Sequence, residues 1–540
     1  MKSLPICFVA SVVFLLGAAQ SNNQVHANPP VAARDPAQLA PAAQKPPVSF
    51  AEVVPYLSGA PYLSSVAVAD VNGDGKPDLL VANQCAVSGP CGGGDTGEAT
   101  VGVLLGNGDG TFQSVVIYGS GGIAAHAISV ADLNGDGKPD IVVANQCADE
   151  TCSGETPIGV LLGNGDGTFQ NAATYDAGGF TGISVAIADV NGDGIPDLLA
   201  ANECISYSDC SNGVIGVLLG NGDGTFQPAV TYSSGGYGLQ SVTVADVNGD
   251  GKPDLVVANF SGPAVGVLLG NGDGTFQPVV TYESGGSTPH AVAVADVNGD
   301  GKPDLLVTNQ CCEIGTGNGT VGVLLGNGDG TFQSAITYGA GGVGSYSTAV
   351  ADLNGDGVLD LVVASESCNK KNKKECGRNG AVGVLLGNGD GTFQPAVAFG
   401  SGGSVAWSVA VADVNGDGKL DVAVANDWNG GDGTVGAVGV LLNNFIAPTT
   451  VKITSTPNPS TVNQVVSFSA TVTSNPSIPD GEVVTFYDGK TVLGTGATTN
   501  GVASFTESFS KAKTYTIKAA YSGDSYHEAS SGNVKQVVNP

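Results

Sequence analysis

Oxygen-bearing side chains recur in this sequence at one fixed spacing. The stretch DVNGDGKPD, Asp70 to Asp78, occurs seven times with little change. In the first copy Asp70, Asn72, Asp74 and Asp78 place side-chain oxygens at positions 1, 3, 5 and 9, and Lys76 at position 7 offers a backbone carbonyl. The same five positions are Asp132, Asn134, Asp136, Lys138 and Asp140 in the second copy, and Asp189, Asn191, Asp193, Ile195 and Asp197 in the third. Asp246, Asn248, Asp250, Lys252 and Asp254 follow, then Asp296, Asn298, Asp300, Lys302 and Asp304. The last two copies hold Asp352, Asn354, Asp356, Val358 and Asp360, and Asp413, Asn415, Asp417, Lys419 and Asp421. Hard oxygen donors at alternate positions around a Gly turn suit Ca²⁺, so the pattern predicts about seven structural calcium ions. Position 7 varies among Lys, Ile and Val, as it can if only its carbonyl matters. Without a cation, the crowded carboxylates would repel one another. An EF-hand needs a Glu at position 12, where this chain has Val81 in a strand-like run.

The elements that must hold these loops are short strands. The first aspartates of the loops lie 62, 57, 57, 50, 56 and 61 residues apart. Each unit carries four apolar runs, in the first SVAVA, LLVAN, VGVLLG and TFQSVVIY, separated by Gly, Asn and Asp turns. Two hairpins per unit and a period near 57 residues predict propeller blades. A second motif, GNGDGTFQ, begins at Gly106, Gly163, Gly220, Gly270, Gly326 and Gly387 and reads as a plain hairpin turn. The seventh copy breaks off as VGVLLNNF, and the segment from Phe50 to Tyr56 matches Phe112 to Tyr118 in its Phe and Tyr spacing. The N-terminal strand is therefore expected to complete the last blade and close a seven-bladed ring, leaving no open edge.

One position changes in character from blade to blade. Six residues before each first Asp stand Ser64, His126, Ile183, Gln240, His290, Tyr346 and Trp407. Hairpin turns and acidic loops should share one face of the disc, and this ring should lie at the channel mouth on the opposite, variable face. His126, Gln240, His290, Tyr346 and Trp407 are candidate binders of a sugar or peptide side chain; the alternative is that they plug the channel. The basic run CNKKNKKEC, Cys368 to Cys376, reads as a solvated, disulfide-held loop or an anionic docking site.

Composition narrows the partners. The net charge is −30, which disfavours nucleic acid and anionic membrane. The seven loops hold three aspartates each and six turns one each, 27 of the 49 acidic residues. Lys2 before the apolar run Ile6 to Ala18 reads as a signal peptide in residues 1–27, cleaved after Ala19 or Ala27. No later run suits a membrane span, so no insertion is expected after signal removal. Residues 28–48 form a Pro/Ala-rich linker. Beyond Cys7, ten cysteines fall as Cys85/Cys91, Cys147/Cys152, Cys204/Cys210, Cys311/Cys312 and Cys368/Cys376. In a secreted or cell-surface chain such neighbours read as disulfides. Adjacent Cys311 and Cys312 leave a vicinal ring, other pairing or free thiols open.

Through their DxNGDGxxD loops and VGVLLGNGDGTF runs, residues 49–446 resemble the FG-GAP/VCBS repeats of integrin-α-type β-propellers. That resemblance implies calcium held by positions 1, 3, 5, 7 and 9 of each loop, between the first two strands of a blade. Here all seven blades carry the loop, and two of them replace its Pro by Leu359 and Leu420. Residues 449–540 lose the repeat and alternate as seven strands, which predicts an Ig-like β-sandwich. They resemble bacterial Ig-like repeat domains through GEVVTFYDG from Gly481, LGT from Leu493 and AYSGD from Ala520.

The expected protein is all-β and monomeric: a seven-bladed propeller followed by an Ig-like sandwich, binding an extracellular glycan or protein. Neither H-E-x-x-H nor G-x-S-x-G occurs and most clustered carboxylates belong to the loops, so an enzyme is not expected. The alternatives are a carbohydrate-active lyase or hydrolase, with His126, His290 and Tyr346 as its acid–base groups, and a purely structural envelope protein.

Overall fold

Strands flanked on both faces by other sheets must be apolar on both faces, and that is how the first three runs of each repeat read. The computed structural model describes residues 48–85, 98–148, 152, 156–261, 265–311, 318–367, 379–427, 435–474 and 477–540. The expected signal peptide, most of the linker, Cys91, Cys312, the Cys368–Cys376 loop and the side chain of Cys311 lie outside these. The described residues form no helix. They divide into two compact units, Ser49–Asn444 and Phe445–Pro540.

The first unit is a ring of seven four-stranded antiparallel sheets. Blade 1 consists of Leu63–Ala69, Asp78–Asn83, Thr100–Leu104 and Val116–Gly119 in that order, and blades 2 to 6 repeat it. Blade 7 is assembled from both ends of the unit: Ala406–Ala412, Asp421–Asn426 and Ala437–Leu441 are completed by Val54–Leu57. The closing register pairs Val54 with Val440 and Leu57 with Ala437. Phe50 bridges Asn443, as Phe112 bridges Gly106 in blade 1. No blade is left with a missing strand, which is the physical advantage of closing a ring this way.

First strands pack on one another around the ring, blade 7 against blade 1 included. Outermost strands face solvent, with Val116, Val230, Val280 and Val397 each about half exposed. Between blades, large residues meet small ones: Val66, Val68, Leu79 and Val81 of blade 1 share a cluster with Ala410, Ala423 and Ala425 of blade 7. Ile128, Ile141 and Val143 of blade 2 likewise cover Ala67 and Ala82 of blade 1. The Val-Ala alternation in the sequence is this interdigitation.

Aromatic pairs join each blade to the next at the rim. Tyr56 meets Phe112 edge-on at 5.2 Å between ring centroids, Tyr175 meets Phe226 at 5.3 Å, and Phe399 meets Phe50 at 4.9 Å. Such edge-to-face pairs stabilise by roughly 1 kcal/mol beyond the area they bury. Cys147–Cys152 and Cys204–Cys210 are disulfide-bonded.

The second unit wraps eight strands into a nearly closed sheet whose ends are Thr450–Thr456 and the two-residue strand Ser460–Thr461. Val466, Phe468, Val484, Phe486, Ile517 and Tyr521 fill its core. Every second residue of Val465–Thr473 is buried, the period-2 pattern of a half-buried strand. The arrangement is Ig-like, without an intersheet disulfide.

Candidate functional site

Each acidic loop joins the first and second strands of a blade, as Asp70–Asp78 joins Leu63–Ala69 to Asp78–Asn83. Its backbone turns back on its own side chains. Asp70 Oδ1 accepts from Gly73 N at 2.8 Å, Asp70 Oδ2 from Gly75 N at 2.8 Å, and Asn72 Oδ1 from Asp74 N at 2.9 Å. Gly73 and Gly75 hold φ of 73° and 79°, a conformation that favours glycine. The pattern repeats through the seventh loop, where Asp413 accepts from Gly416 N and Gly418 N.

Position 9 behaves differently from positions 1, 3 and 5. Asp78 is fully buried, and its two oxygens accept from Val71 N at 2.9 Å and from Gly106 N at 2.7 Å. It therefore staples the loop to the GNGDG turn of its own blade. Asp140, Asp197, Asp254, Asp304, Asp360 and Asp421 do the same, the last bonding Asn443 N where the turn is missing. Burial raises the Asp78 carboxyl above its ordinary range, the two backbone bonds pull it back, and Asp70 and Asp74 raise it further by like charge. Asp360 is pushed up to about 7 and Asp421 to about 6 by the same causes. The turns dock across blades as well: Gly110 N donates to Val414 O, and Gly274 N to Val190 O. The plain hairpin turns of the sequence are thus clamps between neighbouring loops.

Does this donor set fit calcium? Its chemistry does. Positions 1, 3 and 5 supply hard oxygens, each accepting N–H bonds through lone pairs that leave others available. A cation already stands beside five of the loops: Lys76 Nζ lies 3.5 Å from Asp74 Oδ2, Lys138 Nζ 3.3 Å from Asp136, and Lys252, Lys302 and Lys419 lie 3.8 to 3.9 Å from their aspartates. Among the described residues no three His, Cys, Asp or Glu side chains are grouped to hold a metal ion, and position 9 is turned onto backbone N–H groups. A ligand at position 9 would have to keep those bonds.

The channel-mouth ring has an unexpected geometric signature. In every blade the register between first and second strands slips at one residue: Ser64, His126, Ile183, Gln240, His290, Tyr346 and Trp407. All seven are β-bulge residues, freed from the ladder and re-aimed. Two residues earlier, Tyr62, Ala124, Thr181 and Thr288 hold φ between 53° and 64°, an uncommon state for non-glycine residues. The bulged side chains are buried: 0% exposed at His126 and His290, 1% at Gln240, 3% at Tyr346 and 8% at Trp407.

Sequence reasoning missed the partners of this ring. The residue after the Asn of the second strand, a Ser in blade 6, also varies: Gln84, Gln146, Glu203, Phe260, Gln310, Glu366 and Asp427. Its variation within a constant strand was the available signal. All but the buried Gln84 are half-buried, and they join the bulged residues in a belt running across blades. Gln240 Nε2 donates to Glu203 Oε1 at 2.9 Å. His290 packs on Phe260 and on Tyr346 with centroids 6.1 and 5.2 Å apart, and shares a 3.2 Å hydrogen bond with Gln310. Tyr346 donates to Glu366 and lies against Trp407 at 4.2 Å. Trp407 in turn hydrogen-bonds Asp427. Burial lowers His126 and His290 to about 4, so both rings are neutral near pH 7. Burial raises Glu203, and burial with the nearby Glu366 lifts Asp427 to about 7. Two buried atoms, Gln240 Oε1 and His290 Nδ1, find no hydrogen-bond partner among the described residues.

Comparison with known families decides what this ring is. The family described as FG-GAP-like repeat matches residues 88–143, 148–200, 203–257, 246–307, 314–363 and 376–424, and that described as FG-GAP repeat matches 62–101. The chain belongs to the FG-GAP repeat family. Behind its FG-GAP propeller, residues 453–539 match the bacterial Ig-like domain, group 3. No curated protein matches the chain. Among solved structures, the extracellular domain of a protein described as a hybrid two-component system of B. thetaiotaomicron aligns over 91% of this chain and 60% of its own length, at 9% identity and a TM-score of 0.39. The chain thus spans about 60% of that structure, and a likeness this weak carries no argument.

Proposed function

We propose that this FG-GAP protein is an extracellular binding module: a calcium-stabilised propeller that recognises a glycan or protein at the channel mouth opposite its acidic loops. The observation that carries the reading is the coincidence of bulge and variation. Seven blades place a β-bulge at the same position, and both the residue there and the second-strand residue of the set from Gln84 to Asp427 change in character from blade to blade. A scaffold that only closed its channel would have no need of six residue types at one position. Three half-buried carboxylates, Glu203, Glu366 and Asp427, and the unpartnered Gln240 Oε1 favour a donor-rich ligand, one bearing hydroxyl or ammonium groups. Buried Gln240, Tyr346 and Trp407 hold the three carboxylates in place, and the buried rings are not themselves a stacking platform. Disulfides such as Cys147–Cys152 and Cys204–Cys210 fit an oxidising compartment.

In the loops, positions 1, 3 and 5 and the position 7 carbonyl would hold Ca²⁺, which supplies charge neutralisation and cross-linking. The protein's own part is done by position 9 and the GNGDG clamps, which lock each loop between two blades. The test is a glycan and matrix-protein array on residues 28–540, in calcium and in EDTA, beside a Glu203→Gln/Glu366→Gln/Asp427→Asn variant. Binding lost in the variant supports the channel mouth. Binding kept by a folded variant removes the site from there.

A further inference from the structure

The belt at the channel mouth differs from sector to sector. Three residues before each bulge the blades read Pro61, Ile123, Phe180, Tyr237, Ser287, Val343 and Ser404. Aromatic side chains stand there only in blades 3 and 4, whose first strands, Phe180–Ala188 and Tyr237–Ala245, pack on one another. Tyr237 is 47% exposed.

The loop that joins Asp197–Cys204 to Val214–Leu218 in blade 3 adds a third ring. Among the Cys-bounded loops of the sequence, CISYSDC from Cys204 alone holds an aromatic residue. Its disulfide closes the loop, and within that closure Ser206 and Asp209 exchange backbone hydrogen bonds of 3.2 and 3.1 Å. Asp209 Oδ1 also accepts from Ser211 N at 3.0 Å. Tyr207 sits at the tip of this turn, 68% exposed, and its ring meets that of half-buried Phe180 edge-on with centroids 5.5 Å apart. A disulfide and a closed turn thus hold a large ring out in water, where a ligand would meet it already ordered.

Polar groups stand beside these rings. Glu203 directly precedes Cys204, is half-buried, and accepts from Gln240 Nε2 at 2.9 Å. Gln240 lies three residues from Tyr237 on the same strand, and its Oε1 is buried without a hydrogen-bond partner. Lys252 is the one lysine or arginine in residues 180–282, and it lies beyond the other end of that strand.

We infer that blades 3 and 4 form a subsite for a neutral oligosaccharide, with pyranose faces against Tyr207 and Tyr237 and hydroxyls donating to Glu203 and Gln240 Oε1. The inference rests on the channel-mouth reading and names its ligand class and its sector. A pyranose offers both a C–H face for the electron-rich face of a ring and hydroxyl donors for the two acceptors. An apolar peptide segment would cover those acceptors without a donor. An acidic sugar would meet Glu203 and Asp209 with no cation of these two blades at hand.

The experiment is binding of the full chain, in calcium, to immobilised neutral oligosaccharides of glucose, galactose, mannose and N-acetylglucosamine and to oligouronates. It is repeated with Tyr207→Ala, Tyr237→Ala and the Glu203→Gln/Glu366→Gln/Asp427→Asn variant. Wild type should bind neutral oligosaccharides and leave the oligouronates. Each tyrosine variant should bind about tenfold more weakly, as truncation of an aromatic anchor does. Both tyrosines are exposed, so both variants should fold, which a circular dichroism spectrum checks. Binding kept by the tyrosine variants and lost in the triple variant overturns the aromatic subsite and leaves the channel mouth standing. Binding kept by all three overturns both. Preference for oligouronates overturns the assignment of a neutral sugar. A folded wild type that binds no oligosaccharide overturns the inference, and the channel mouth then stands or falls on matrix-protein binding lost in the triple variant.

Discussion

Replacing Asp254 by Ala separates the two roles of position 9. Asp254 is fully buried, accepting from Val247 N at 2.9 Å and from Gly270 N at 2.7 Å. Alanine leaves two buried N–H groups without an acceptor, at about 1–3 kcal/mol each. Losing a carboxylate that burial and the charges of Asp250 and Asp246 already disfavour returns part of this. The expected net loss is about 3 kcal/mol, roughly two powers of ten in the unfolding equilibrium. The assay is urea unfolding of the full chain in EDTA, followed by intrinsic fluorescence. A lower midpoint for Asp254→Ala without metal is the expected result. Asp250→Ala, an exposed position 5 change, should unfold with wild type in EDTA and differ from it only in calcium. If Asp254→Ala also matches wild type in EDTA and differs only in calcium, position 9 is a metal ligand alone and the staple argument is wrong.

Calcium itself should raise the melting temperature, each loop contributing about 1.4 kcal/mol at tenfold excess over Kd; an unchanged melting curve in EDTA counts against the loops as metal sites. Deleting residues 28–57 removes Val54–Leu57 and exposes Ala437–Leu441 as an unpaired edge, so the truncated chain should self-associate in size-exclusion chromatography where the full chain does not. Asp427 gives a pH test. Its carboxyl is held at about 7 against an ordinary 3.8, so between about 4 and 7 the folded protein keeps a proton that the unfolded chain has released. Stability from this group therefore falls as pH rises through that window, and Asp427→Asn should flatten the fall in melting temperature between pH 5 and 8. Tyr175→Phe removes the 3.3 Å bond to Gly224 O between blades 2 and 3 while keeping the ring on Phe226, and should cost about 1 kcal/mol in urea.

Local chemistry wrote most of the architecture into the sequence. A turn that needs Gly at two positive-φ sites and oxygens at alternate positions can be recognised residue by residue, so the loops, their strands and the count of blades were legible. Closure was legible too, since Phe50 and Tyr56 carry the spacing of a complete blade's last strand. What the sequence could not assign was partnership at a distance. That Asp78 spends both oxygens on Val71 N and Gly106 N, residues 7 and 28 positions away, depends on where the next hairpin folds back. That the variable ring consists of bulge residues depends on strand register, and register is set by how each sheet packs between its neighbours. The second ring, from Gln84 to Asp427, acquires meaning only when strands from different blades bring Glu203 to Gln240 and Gln310 to Tyr346. Spacing along the chain determines which groups each blade carries, and tertiary packing decides which of them meet, because burial and hydrogen-bond satisfaction are settled between blades.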